Sequence, residues 1–301
     1  MAALNYAAQY AQELANAYPY LSYFGDVWNG SESARFRPLS GKVVYIPSMT
    51  VTGAHAADRE QITGVFNRNF DITWTPATMS MDREWDTLVD PLDIMETNEV
   101  ATIANVTKTF NELQKIPEMD AYMVSKLATV ALNNASAGGS STTALTANNI
   151  LEVWDAGVAY MTNARVNRDR VRCVMTPATF KLLKEAAGLT RFVDVTSGIQ
   201  AVDRNIAKLD GIVITEVPDD LMKTAFTFTT GFVAASGAQA VNFILYDPMA
   251  IAAPIVYDQS MISAPTAQTK GKYLYYERYY YDVFVLNERK AGVFASVVAA
   301  G

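Results

Sequence analysis

Residues 42–52, KVVYIPSMTVT, and residues 62–75 read as the two strands of one long hairpin. The first run is β-branched and aromatic and lies between Gly41 and Gly53. Pro47 within it points to an edge position or a bulge. In the second run Phe66, Phe70, Ile72 and Trp74 all fall on even positions, the alternation of a strand with one apolar face. The segment between them, GAHAADREQ (53–61), is polar and turn-like. A two-stranded hairpin is at best marginally stable alone in water. This one therefore needs a surface to lie on, within its own chain or on a neighbour, and that requirement shapes every other reading.

The surrounding sequence sharpens the requirement. Residues 4–24 carry Tyr6, Tyr10, Tyr18, Tyr20, Tyr23 and Phe24 around Pro19, and Trp28 opens the turn-rich WNGSESARF. An aromatic arm packs on its own core or docks on another chain. Only 18% of the 301 residues are charged while 50% are hydrophobic and 11% aromatic. A solitary protein of this size is expected to cover itself with more charge. Shared surface between copies accounts for the shortfall.

Further along, residues 78–92 continue extended, and Asp93-x-x-Glu96 resembles a capping box before Val100, Ile103, Val106, Phe110 and Leu113 at helical spacing. Pro117 is expected to end that helix and start a second, running to about Asn133. ASAGGSSTTALTANN (135–149) reads as a flexible connection and a domain boundary. An α/β rhythm follows: a helix from Ile150, a strand at 171–175, a helix capped by Thr176-Pro177, and strands at 211–217, 225–233 and 241–246. Residues 272–298 read as strand throughout, with six tyrosines between 273 and 281.

Catalytic patterns are absent. The chain contains no GxxxxGK[ST], GxGxxG or GxSxG pattern. His55 is its one histidine and Cys173 its one cysteine, so neither a histidine-rich nor a cysteine-ligated metal site fits within a chain. Cys173, inside an apolar strand, reads as an inert core thiol. The best chemical candidate is the acid run Asp82, Glu84 and Asp86, which share one face of a strand. Paired carboxylates serve acid–base chemistry or hold a divalent ion, so a carboxylate-dependent hydrolase stands as one alternative. Acids on a strand more commonly face solvent or pair across a subunit contact. No cofactor is expected.

The net charge of −7 argues against a dedicated nucleic-acid reader. The densest basic stretch, ARVNRDRVR with Arg165, Arg168, Arg170 and Arg172, is broken by Asp169 and reads as a solvated turn or a contact to an acidic neighbour. The tyrosine run reads as packing, since a base-stacking platform normally accompanies a positive groove. No signal peptide and no membrane span are expected.

Taken in order, the aromatic arm, the long hairpin, the broken helix, the Gly/Ser stretch, the α/β unit and the long terminal strand resemble the major capsid protein of tailed bacteriophages, the Hong Kong 97-like fold. The segment REWDTLVDPLDIMETNEVATIANV (83–106) also resembles phage capsid proteins. The resemblance implies an α+β fold with an N-terminal arm (1–40) and an extended hairpin, the E-loop (41–77). It further implies a discontinuous peripheral domain (78–145 and 255–301) with a spine helix at 117–133, and an axial domain (146–254). It implies no enzyme but homo-hexamers and homo-pentamers forming an icosahedral head around double-stranded DNA, held by weak non-specific contact. The implied partners are a portal and a separate scaffolding protein, because the sequence begins close to the arm. The implied place is the virion, assembled in the host bacterial cytoplasm. An encapsulin-like compartment is the related alternative. Lys42 lies at the hairpin base, but no reactive Lys, Asn and Glu set matches residue by residue, so no covalent crosslink is expected. The subunit-interface candidates are Tyr18, Tyr20, Phe24 and Trp28 of the arm and Val44, Tyr45, Ile46, Phe66, Phe70, Ile72 and Trp74 of the hairpin. Asp82, Glu84, Asp86, Arg165 and Arg168 complete the set.

Overall fold

A computed structural model describes residues 22–28, 30, 32, 43–54, 69–96, 102–186 and 206–299. The N-terminal part holds α1 (Gly25–Trp28), β1 (Val43–Val51), β2 (Phe70–Thr78), β3 (Met81–Val89) and α2 (Pro91–Glu96). Then come α3 (Ile103–Phe110), α4 (Ile116–Asn133), β4 (Ser140–Ser141), α5 (Ile150–Asn163), β5 (Arg172–Met175) and α6 (Pro177–Glu185). Short strands β6 (Lys208–Leu209), β7 (Ile212–Glu216), β8 (Phe226–Thr227) and β9 (Val233–Ala234) lead to β10 (Val241–Tyr246). The chain closes with β11 (Ile251–Ala252), β12 (Ile255–Ser263), β13 (Tyr273–Tyr281), β14 (Phe284–Val285) and β15 (Val293–Val297).

Two sheets share one long helix. The larger sheet runs β4-β15-β10-β5-β7-β6. Its central strands are apolar on both sides, as a sheet covered on both faces requires. Cys173, Met175, Phe243, Leu245 and Phe294 turn toward the layer of α5 and α6. Val174, Ile244, Tyr246, Val293, Ala295 and Val297 turn the other way, onto α4. The smaller sheet, β12-β13-β3, is antiparallel and covers another side of the same helix. Tyr279 and Tyr281 of β13 enter the core around α4, and Trp85 of β3 stacks on Phe110 at 4.0 Å.

Several expectations are corrected. Pro117 stands in the first turn of α4, which runs to Asn133 as expected, but the helical path is not broken there. A π-helical turn, Asn111–Lys115, joins α3 to α4, so the helical path continues from 103 to 133. Proline lacks an N–H and its ring crowds the preceding turn, and the wider π turn just before it supplies room without a break. The cap of α3 is Thr102, whose hydroxyl accepts the Asn105 N–H; Asp93 lies within α2 instead. The 135–149 stretch is not a free connection, because Ser140 and Ser141 pair in parallel with β15. Residues 225–233 form no single strand but two short ones that pair as a hairpin, with Gly231 at φ +62° between them. Residues 272–298 break into β13, β14, a 3-10 turn at Asn287–Gly292, and β15. The terminal strand β15 sits in the larger sheet beside β10, with the strands of 146–254 rather than with β13. All five of its residues are buried, which only a strand covered on both faces satisfies. Strand β12 carries no expectation from the sequence.

Two local features lead to stability predictions. Helix α5 crosses the larger sheet at Gly157, where a Cβ would lie 2.7 Å from Phe294 Cδ1. Gly157→Ala is expected to destabilise the chain by about 1–3 kcal/mol despite alanine's better helix propensity, because the packed ring must move. Denaturant unfolding measures this, and an unchanged midpoint would remove the close approach as a constraint. At the other end of α5, Arg165 has φ +64°, its N–H donates to Thr162 O (2.9 Å), and the Val166 N–H donates to Met161 O (3.0 Å). This is a Schellman closure with arginine where glycine is the usual residue. Arg165→Gly is expected to raise stability by up to about 1 kcal/mol through relief of the left-handed backbone; a lowered unfolding midpoint would mean that the arginine side chain makes a needed contact.

Candidate assembly surface

The hairpin does form, and its register decides what it shows to solvent. Val43 pairs with Thr78 and Val51 with Phe70; residues 62–68 of the expected second strand lie outside the described residues. Directly opposed residues share a face. Tyr45 therefore sits beside Pro76, Pro47 beside Trp74, Met49 beside Ile72 and Val51 beside Phe70, four apolar pairs on one side of the ribbon. All eight residues are exposed, Tyr45 and Trp74 each at 60%. The opposite face is polar along most of its length, with Ser48, Thr50, Asp71 and Thr73. Only at the base is it apolar, where Val44 and Ile46 pack with Met79, Ala252, Tyr280 and Leu286. A contiguous apolar face of this kind marks a binding surface.

The remaining candidates divide by burial. Phe24 and Trp28 are inside their own chain: Phe24 lies against Tyr246 and Trp28 meets Tyr281 edge-on at 5.6 Å. Asp120 of α4 holds this stretch, accepting Ser22 Oγ (2.9 Å) and the Tyr23 N–H (2.8 Å). Phe24, Trp28, Val44 and Ile46 thus spend their surface internally and are corrected from neighbour contacts to core residues. Tyr18, Tyr20, Phe66 and His55 lie outside the described residues.

Asp82, Glu84 and Asp86 do share the outer face of β3. Asp82 is held by Arg278 through two hydrogen bonds of 2.9 and 2.6 Å, and Glu84 accepts the Tyr276 hydroxyl at 3.3 Å. Among the described residues no three His, Cys, Asp or Glu side chains converge to hold a metal ion. Arg168 pairs with Asp210 (3.5 Å) and Arg170 with Asp247 (3.0 Å), both within the chain. Four of the six tyrosines of 273–281 are buried, so that run is packing. The burial that surrounds Cys173 pushes its thiol well above the usual range, as an inert thiol requires. Among the described residues no helix is long and apolar enough to cross a membrane.

Further exposed apolar side chains are Leu88 on β3, Leu92 and Met95 on α2, and Met261 and Ile262 on the two faces of β12. Sequence reasoning did not single these residues out, because β12 was not expected and because Leu92 and Met95 look like ordinary helix-face residues.

Buried ion pairs fix these surfaces to the frame. Arg83 on the inner face of β3 makes two 2.8 Å bonds to Glu118 of α4 and donates to Phe228 O. Lys115 pairs with Glu277 and lies over the Tyr279 ring. Burial holds the Glu118 carboxyl above the ordinary glutamate value, against the pull of Arg83.

An α/β/α unit and a smaller antiparallel sheet sharing one long helix, with a projecting ribbon, are the parts of the Hong Kong 97-like fold of tailed-phage major capsid proteins, and the chain has that fold. It is similar to the mature capsid of bacteriophage PhiM1 with a TM-score of 0.65 and 13% identity, over 95% of this chain and 90% of that one. It is similar to the capsid of cyanophage P-SCSP1u (TM-score 0.61, 12% identity, 96% and 91% of the chains). A structure from Mycobacterium phage Che8 matches at TM-score 0.61 and 16% identity, over 94% and 93%. No family model matches the chain, and no curated protein matches it by sequence.

Proposed function

We propose that the chain is the major subunit of an icosahedral phage head, assembling as hexamers and pentamers around double-stranded DNA. The observation that carries this reading is the apolar ladder of β1 and β2. It is packed against the rest of the chain at its base and, among the described residues, stays exposed along its length. Repetition of one heterologous contact between identical chains closes into rings, and rings joined by further contacts close into a shell. The exposed apolar side chains of β3, α2 and β12 offer further places for such contacts. Many modest interfaces per subunit reinforce one another. The solved phage capsids of the same fold favour a DNA-filled head over a compartment for protein cargo. The −7 charge suits a wall that confines DNA without adhering to it. A portal and a separate scaffolding protein, and assembly in the bacterial cytoplasm, complete the proposal. With Asp82 already engaged by Arg278, the acids of β3 serve the sheet surface and not a reaction.

Electron microscopy and light scattering of the purified chain test the reading. Large symmetric particles, or free hexamers and pentamers, are expected. A chain that stays a folded monomer across concentration, salt and crowding agents would overturn it.

A further inference from the structure

On its β2 side the hairpin joins β3 through two residues, Met79 and Ser80. Both are gripped by the end of β13. The Tyr280 hydroxyl donates to Met79 O at 2.8 Å, and the Met79 side chain is buried in the cluster at the hairpin base. The Ser80 N–H and Oγ donate to Asp282 Oδ2 at 2.7 and 3.0 Å. Asp282 is only 1% exposed, and its other oxygen accepts the Tyr122 hydroxyl and the Val283 N–H, both at 2.7 Å. Lys126 of α4 stands 3.6 Å from the same oxygen. Tyr122 and Lys126 belong to the long helix, so one buried carboxylate ties the exit of the ribbon to the element shared by both sheets.

We propose that Asp282 is a positioning residue that sets the direction in which the hairpin leaves its own chain, and thereby the angle between neighbouring copies. The second half rests on the shell reading; the first does not. Leverage makes the joint important. Each strand of the ribbon has nine residues. At about 3.3 Å per residue the ribbon is about 30 Å long, and a swing of about 10° at the joint moves its tip by about 5 Å, the spacing of one strand. An apolar ladder displaced that far no longer meets the same partner residues. The preference for a carboxylate follows from the donor set: four hydrogen-bond donors and one ammonium converge on it, and only a group that accepts at both atoms satisfies them.

Spin labels on Thr50→Cys in the ribbon and Lys208→Cys in the larger sheet read the angle directly in the unassembled full chain. Both positions are exposed, and the native Cys173 is buried and stays unlabelled. One narrow distance is expected with Asp282 and Ser80 intact. In Ser80→Ala and Asp282→Asn the distribution is expected to shift or widen by about 5 Å, the displacement of a swing of about 10°. Ser80→Thr, which keeps the hydroxyl, is expected to retain the narrow distance. Tyr122→Phe with Lys126→Met releases the helix side of the pin and is expected to give the same widening, so the test stands even where Asp282→Asn does not fold. Narrow, unshifted distances in Ser80→Ala and in Tyr122→Phe with Lys126→Met, with native circular dichroism, would overturn the pin, as would a broad distribution in the unsubstituted chain. Particles with an unchanged diameter distribution, built from a variant with a released ribbon, would overturn the link to the angle between copies. Absence of particles from the unsubstituted chain would count against the shell reading alone, since the distances are measured before assembly.

Discussion

The double variant Phe70→Ser, Trp74→Ser is expected to abolish particle formation while leaving the far-ultraviolet circular dichroism of the chain unchanged. Both side chains lie on the exposed face of the ribbon, Phe70 at 45% and Trp74 at 60% exposure. Neither belongs to the buried clusters that hold the two sheets on α4. Substitutions at such positions usually change stability by less than about 0.5 kcal/mol. Covering them on a neighbour is a different matter. Burial of a large apolar side chain contributes about 1.5–3 kcal/mol, so two of them shift an association constant by on the order of a hundredfold or more. The effect repeats at every subunit of a closed assembly. Sedimentation and electron microscopy beside circular dichroism separate the two consequences. Normal particles at the usual concentration would mean that the ladder is not the contact.

The second large effect concerns stability. Arg83→Met leaves Glu118, which is 3% exposed, without its guanidinium partner. Breaking one side of a buried pair costs about 3–5 kcal/mol, while replacing both sides by apolar groups is often neutral. Arg83→Met is therefore expected to lose about that much at pH 8, and Arg83→Met with Glu118→Leu to recover most of it. The sign of the pH dependence follows from the carboxyl. Burial raises Glu118 above its ordinary 4.5 even with Arg83 present, and Arg83, ahead of the Tyr281 hydroxyl, is the main group pulling it down. An acid raised on folding favours the fold when neutral, so its contribution is present at low pH and is lost as pH rises through its folded value. The single variant is thus expected to be less destabilised at pH 5 than at pH 8. Equal losses at both, measured by denaturant unfolding, would show that Glu118 finds another partner. The loss spreads beyond β3, because Arg83 also holds Phe228 O beside the β8–β9 hairpin.

Much of the architecture was legible in local sequence. The alternation of Phe70, Ile72 and Trp74 identified a strand with one apolar face, and the structure keeps all three on one side. Thr176-Pro177 marked the start of α6, where Thr176 Oγ accepts the Thr179 N–H. The apolar runs at 171–175 and 241–246 became β5 and β10. These succeed because a strand's period of two and a helix cap are properties of neighbouring residues.

What the sequence determined alone is that a long ribbon exists, that one of its faces is apolar, and that too little charge is present to clothe the chain as a solitary body. Which residues remain exposed was decided only by the tertiary structure. Phe24, Trp28, Val44 and Ile46 read the same as Tyr45 and Trp74 in one dimension. They are separated by whether α4, β10 and β13 happen to lie against them. The continuity of the helix through Pro117, the entry of β15 into the larger sheet and the grip of Asp282 on Ser80 are likewise tertiary. Ser80 and Asp282 stand 202 residues apart. No local periodicity encodes a contact of that separation, because it exists only once both sheets have closed on the shared helix.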